Sequence, residues 1–170
     1  MAQATPVNPV VKPYGDEAYL AVREFFRYDS TLPLQARVVS GEDRGSYTLE
    51  KFVFTSSGRS RVPGLLAFPK GDRKKFPCMI LIHSGTGKKE DWWSDQGWVR
   101  GQAFVAKLLQ AGYAVVAIDA EGHGERPASV DFVPLTGMAY ESKETYGITR
   151  LLVQTTIDHL RLVDYLRSKP

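Results

Sequence analysis

Two apolar runs, Cys78-Met79-Ile80-Leu81-Ile82 and Ala114-Val115-Val116-Ala117-Ile118, each break directly into a glycine-rich turn, with one helix-length segment between them. Continuous apolar runs of this length read as strands buried on both faces, and such strands belong to a parallel sheet. Between them Val99, Ala103, Phe104, Ala106, Leu108 and Leu109 support a helix that ends near Ala111-Gly112, the glycine serving the C-cap. The unit is therefore βαβ, right-handed by default. Its first turn reads His83-Ser84-Gly85-Thr86-Gly87, and its second follows Asp119 as Glu121-Gly122-His123-Gly124-Glu125-Arg126. A glycine-rich turn after a buried strand can aim backbone N–H groups at a developing oxyanion, and a second such turn can brace the floor of the same pocket.

Ahead of this unit the pattern differs. Residues 1–15 are proline-bearing and aperiodic and are expected to form a flexible lead. Asp16 is placed to cap a short helix whose apolar face is Ala18, Leu20, Ala21, Val22, Phe25 and Phe26, with Pro33 helping to end the segment. Three β-rich pieces follow, 36–40, 47–54 and 62–68, separated by Gly41-Glu42-Asp43-Arg44-Gly45 and Ser56-Ser57-Gly58. Those separators are turn chemistry, so the front reads as an antiparallel meander. At the other end a long amphipathic helix starts near Tyr146 or Gly147 and places Ile148, Leu151, Leu152, Thr155, Ile157, Leu160, Val163 and Leu166 mostly on one face. The fold class is α/β, antiparallel front strands leading into a parallel βαβ sheet flanked by helices, with 16–170 as part of one domain.

Composition excludes several classes. The chain is 43% apolar and 24% charged, an ordinary globular balance rather than a disordered one. Its net charge of +3 is spread along the sequence, with short runs such as Arg73-Lys74-Lys75 and Lys88-Lys89 that read as solvated turn residues, so no nucleic-acid partner is expected. The single cysteine, Cys78, excludes an internal disulfide. No apolar run approaches the roughly 20 residues of a membrane span, and residues 1–13 lack the pattern of a signal peptide. The chain is expected to be cytoplasmic, with no membrane partner.

Tyr47 to Pro69, Phe76 to Trp93 and Gly112 to Arg126 resemble the α/β-hydrolase superfamily, in its dienelactone hydrolase and acetyl-esterase-like branch. His83-Ser84-Gly85-Thr86-Gly87-Lys88-Lys89-Glu90-Asp91 stands where that branch has a His-Gly-x-Gly-Gly-type turn followed by Lys-Glu-Asp. Asp119-Ala120-Glu121-Gly122-His123-Gly124 matches its Asp and Gly-His-Gly turn, and Arg126 a residue common there. The resemblance covers the amino-terminal part of the fold. It implies a serine hydrolase of small esters, without cofactor, in which this portion contributes sheet scaffold and the oxyanion-hole loop. No serine has glycines both two before and two after it, so no Gly-x-Ser-x-Gly elbow is present, and the resemblance puts the family's triad residues beyond Pro170. No catalytic residue is therefore expected in this chain, and a partner carrying the missing half, or self-association, is. The alternative reading is a non-catalytic hydrolase-like remnant acting through a partner chain.

The resemblance assigns the oxyanion N–H to Gly85, or to Thr86 if the register differs by one. It makes His83 structural, and groups Ser84, Gly87, Asp119, Gly122, His123 and Gly124 as pocket-loop residues. No metal is expected, because no tight His-x-x-x-His or Cys-x-x-Cys spacing occurs. A P-loop fails on spacing: Ile82 stands where its first glycine belongs and Lys89 where Ser or Thr belongs. A dinucleotide fingerprint fails at Glu90, and Trp92, Trp93 and Trp98 read as packing residues.

Overall fold

The structure, a computed structural model, describes residues 12–126 and 145–169; the first eleven residues of the expected lead, the segment 127–144 and Pro170 lie outside the described residues. Five strands form one sheet: β1 (Arg37–Asp43), β2 (Tyr47–Thr55), β3 (Arg61–Pro69), β4 (Cys78–Leu81) and β5 (Ala114–Ile118), in spatial order β1-β2-β3-β5-β4. Helices α1 (Asp16–Arg23), α2 (Gln102–Gln110) and α3 (Thr145–Ser168) complete the chain order.

The front three strands are antiparallel neighbours, β2 and β3 pairing without a break from Tyr47↔Pro69 to Thr55↔Arg61. β5 then inserts beside β3, antiparallel through Leu65↔Ala117, and carries β4 in parallel on its far side through Met79↔Val115. Because β5 has a neighbour on each side and a helix over each face, all five of its residues are buried. Its alternation divides the core. Val116 and Ile118 join Phe52, Phe54, Val62, Leu162 and Tyr165 beneath α3, while Val115 and Ala117 join Leu49, Leu65, Val105 and Leu109 beneath α2. Each large apolar side chain among these contributes roughly 1.5–3 kcal/mol by leaving water.

Several sequence expectations are corrected. β1 runs on to Asp43, since Gly41, Glu42 and Asp43 find ladder partners in Glu50, Leu49 and Thr48; the turn contracts to 44–46, with Gly45 at φ 78°. The apolar run at β4 is not buried on both faces: Cys78 is exposed, and Ile82 is 62% exposed beyond the strand's end. Among the described residues β4 has one neighbouring strand where β5 has two. In α2 the core contacts are Val105 and Leu109, whereas Ala103, Phe104 and Ala106 face outward. Gly112, at φ 85°, ends that helix in a Schellman arrangement, with Tyr113 N–H donating to Leu108 O and Gly112 N–H to Leu109 O. The cap of α1 is Gly15, not Asp16, and the helix buries no residue. On α3 the buried stripe is Leu151, Asp158 and Tyr165 with Ile157, Arg161 and Leu162, while Leu152 and Leu160 are exposed. Trp92 and Trp93 pack against the α2-side core as expected; Trp98 is 96% exposed and is no packing residue.

Opposite Phe52 on β3 stands Gly64, and the absent side chain lets the Phe52 ring lie across it to stack on Tyr165 at 4.5 Å between centroids. A Cβ at Gly64 would fall 2.6 Å from Cε1 of Phe52. Gly64→Ala is expected to lower unfolding free energy by about 1–3 kcal/mol, the usual cost of overpacking. Gly41→Ala, where a Cβ meets nothing within 4 Å, is expected to change it by about 0.5 kcal/mol or less. Urea denaturation of both variants checks the contrast; equal midpoints would remove the steric argument.

Candidate functional site

The two glycine turns leave the carboxyl ends of neighbouring parallel strands and face each other. After β4 the chain passes through His83 into a tight turn closed by Gly87 N–H donating to Ser84 O at 3.0 Å. Gly87 has no room for a side chain, since a Cβ there would sit 2.8 Å from Oδ2 of Asp91. Asp91 in turn accepts the Lys88 N–H at 3.0 Å, which starts a short 3-10 helix, Lys89–Trp93. The second turn follows β5 and bends at Gly122 (φ 74°) and Gly124 (φ 55°). A Cβ on Gly124 would fall on the Asp119 carboxylate, so glycine is required there for both conformation and space.

Three links bind the turns together. Asp119, fully buried at the end of β5, accepts the Lys89 N–H at 2.9 Å, the Lys89 ammonium at 2.6 Å and the Glu125 N–H at 3.0 Å. His83 reaches across from the first turn: its Nε2 accepts the Ala120 N–H at 3.0 Å while its Nδ1–H donates to Ser84 O at 2.7 Å. That pattern defines the neutral Nδ1–H tautomer. His123 reaches back from the second turn, with Nε2 at 2.7 Å from Gly85 O and Nδ1 at 2.8 Å from Glu121 O, and the two rings lie 5.1 Å apart. Behind the second turn Arg126 donates to Asp158 of α3, to Ser60 Oγ at 2.9 Å and to Asp119 O. Gln154 supports Asp158 from one helical turn earlier at 2.8 Å.

Lys89 corrects the expectation of a solvated turn residue. Its side chain is fully buried and pairs with Asp119 and with Glu90, also at 2.6 Å. Burial alone pulls its ammonium down, but the hydrogen bonds to Asp119 and Glu90 outweigh that and leave it raised. His83 moves the other way. Desolvation is the largest cause and holds its imidazole below the ordinary 6.5, against smaller opposing effects of Ser84 O and Asp119.

Between the turns lies a cavity of about 240 Å³ lined by Gly85, Thr86, Gly87, Lys88, Asp91, Gly122, His123 and Gly124. Of the residues singled out from sequence, His83, Ser84 and Asp119 do not line it. Among the described residues, the N–H groups of Gly85 and Thr86 donate to no protein acceptor. His123 borders the cavity, yet its two nitrogens lie against the carbonyl oxygens of Glu121 and Gly85, so neither is directed at the Thr86 hydroxyl. Among the described residues no group of three or more His, Cys, Asp or Glu side chains converges to hold a metal ion. Among the described residues the cavity offers backbone donors and no nucleophile hydrogen-bonded to a base. His159, on α3, is occupied at Nδ1 by Thr155 O at 2.7 Å and takes no part.

Sequence reasoning missed Lys89, Asp91, Glu125 and Asp158. The available signal for Asp158 was its position: it falls seven residues after Leu151 and seven before Tyr165, a charge on an apolar stripe. For Lys89 the available signal was its place in the Lys-Glu-Asp match, since Asp119, the buried carboxylate that holds it, lies thirty residues away.

No family model matches the chain. It is 23% identical over 141 residues to the protein "Putative hydrolase YtaP" of Bacillus subtilis (strain 168), an alignment covering 81% of this chain and 45% of that one. Among solved structures it superposes on the acetyl xylan esterase from Paenibacillus sp. R4 with a TM-score of 0.63 at 19% identity, covering 91% of this chain and 46% of that one. It also superposes on acetyl xylan esterase 1 from Thermoanaerobacterium sp. JW/SL YS485 with a TM-score of 0.62 at 18% identity, covering 94% and 48%. Over the part described the chain shares its fold with these two esterase structures, and it spans just under half the length of these relatives. Among the described residues no helix is long and apolar enough to cross a membrane.

The clamp between the turns generates two expectations. Lys89→Met strands the Asp119 carboxylate in the interior and is expected to cost about 3–5 kcal/mol, with Lys89→Met/Asp119→Asn recovering part of that because the uncompensated charge is gone. Chemical denaturation of the single and double variants checks it, and equal losses would show that charge is not the cause. The second concerns pH. His83 is lowered on folding, so the unfolded chain binds its proton first as pH falls through about 6.5, and stability present above that pH declines below it. Replacing His83 with Gln should flatten this acid limb of stability; an unchanged slope would assign the limb to other groups.

Proposed function

We propose that this chain forms the amino-terminal portion of a serine carboxylesterase acting on a small ester, and that it supplies the sheet scaffold and one half of an oxyanion hole. The observation that carries the reading is the pair of N–H groups, Gly85 and Thr86, that donate to no acceptor among the described residues and border a cavity where two parallel strands end. An acyl-transfer site needs such donors where charge develops on the carbonyl oxygen, and a donor held in place before reaction costs no reorganisation. Gly85 is the proposed donor, with Thr86 beside it. Asp119, Lys89 and the two histidines act through the loop's position rather than on substrate.

The solved relatives are acetyl xylan esterases, which favours a short acyl group on a polyol or sugar as the substrate class and keeps the dienelactone and acetyl-esterase-like branch within the proposal. The nucleophile would come from a strand beside β4. Among the described residues β4 pairs only with β5, so its other edge is free to take a strand. That open edge also favours the second reading, a non-catalytic chain that acts by association.

Residues 1–170 alone are expected to show no serine-dependent turnover of p-nitrophenyl acetate. Activity that survives purification and disappears on one Ser→Ala change would contradict this. The same preparation is expected to associate at low micromolar concentration by light scattering; a stable, cooperatively unfolding 19.0 kDa monomer would refute the role given to the β4 edge. In the complete enzyme Gly85→Pro should lower kcat by about a hundredfold or more, with KM much less affected, through loss of one oxyanion donor. Undiminished turnover in a folded variant would move the donor to Thr86 or elsewhere.

A further inference from the structure

A second cavity lies at the other end of the sheet, where β4 and β5 begin rather than end. It has a volume of about 750 Å³ and opens between the end of β3, the segment leading into β4, and the last turns of α3. That volume is within the range of about 300–1,000 Å³ typical of small-molecule sites. Its floor is apolar, made by Leu66, Phe68, Phe76, Ala114, Val163 and Leu166. Its rim is cationic: Lys70, Arg73, Lys74, Lys75, Arg167 and Lys169 line it, and no carboxylate does.

The rim charges are of two kinds. Lys70 is held by Asp43 at 2.5 Å and Lys169 by Glu50 at 2.5 Å, which neutralises both. Arg73, Lys74, Lys75 and Arg167 make no ion pair within the described residues. An apolar floor ringed by unpaired cations suits a molecule with one hydrocarbon end and one anionic end. A neutral apolar ligand would leave the charges unused. An extended polyanion would not fill a concave apolar floor.

We infer that this groove binds an anionic amphiphile, an aliphatic carboxylate whose tail lies on Phe68, Phe76 and Leu166 and whose headgroup meets Arg73, Lys74 and Lys75. The site is separate from the cavity at Gly85 and does not depend on esterase activity. Charge-assisted hydrogen bonds fix the headgroup, and the tail gains from leaving water.

The chain carries its own reporter, because its one cysteine, Cys78, lines the groove. Its exposure leaves the thiol open to a reagent when the groove is empty. The test follows maleimide labelling of Cys78 in the whole chain by mass spectrometry, with octanoate, with octan-1-ol and with neither. Octanoate below its micelle-forming concentration is expected to slow labelling by about tenfold or more, octan-1-ol far less, and high salt to weaken the octanoate effect. Lys74→Glu/Lys75→Glu, on exposed residues, should abolish most of the protection while leaving the circular dichroism spectrum unchanged. No protection by octanoate, or equal protection by octan-1-ol, overturns the inference. Labelling is followed below the concentration at which the chain associates through the β4 edge, and a Cys78 that stays shielded there without ligand overturns the inference as well.

Discussion

The Asp119 carboxylate is the constraint on which the rest of the site depends. It sits at the end of the most buried strand and receives three hydrogen bonds, two from Lys89 at the end of one turn and one from Glu125 in the other. Gly124 must be glycine because this carboxylate occupies the space a side chain would need. A buried ion pair of this kind adds little net stability, since desolvating both charges offsets most of their attraction. Its effect is positional. Only one relative arrangement of the two turns satisfies both oxygens, and leaving either charge without its partner is far more costly than never burying them.

The histidines reinforce the same geometry by reciprocity. His83 starts in the first turn and ends on an N–H of the second, and His123 starts in the second and ends on a carbonyl of the first. Each uses a ring nitrogen that a catalytic histidine would need free. Neither ring is then available for proton transfer, which fits a region that presents backbone donors instead. Arg126 extends the bracing outward through Asp158 to α3, so the turn is tied to the helix that covers one face of the sheet.

The two ends of the sheet consequently differ in character. At the carboxyl ends of β4 and β5 the Asp119–Lys89 pair is internal, and the cavity between the turns is small. At their amino ends four of the rim charges are unpaired and external, and the groove is larger and floored by side chains. The exposed flank of β4 lies between them. Its residues are as apolar as those of β5, and Met79, Ile80 and Leu81 pack against the two core clusters, but among the described residues the strand has no second neighbour and Cys78 at its start is exposed.

Much of this was determined by the sequence alone. Unbroken apolar runs at 78–82 and 114–118 specified parallel strands, Gly112 specified the stop of the helix between them, and glycine at 85, 87, 122 and 124 specified tight turns, because these follow from local sterics and periodicity. Tertiary structure decided what periodicity cannot reach. Whether an apolar run is central or at an edge depends on how many strands flank it, so all of β5 is buried, while in β4 only Leu81 is. Whether a charge is solvated or interior depends on partners distant in sequence: Lys75 and Lys89 each close a short basic run and are locally alike, but only Lys89 has a carboxylate waiting thirty residues on.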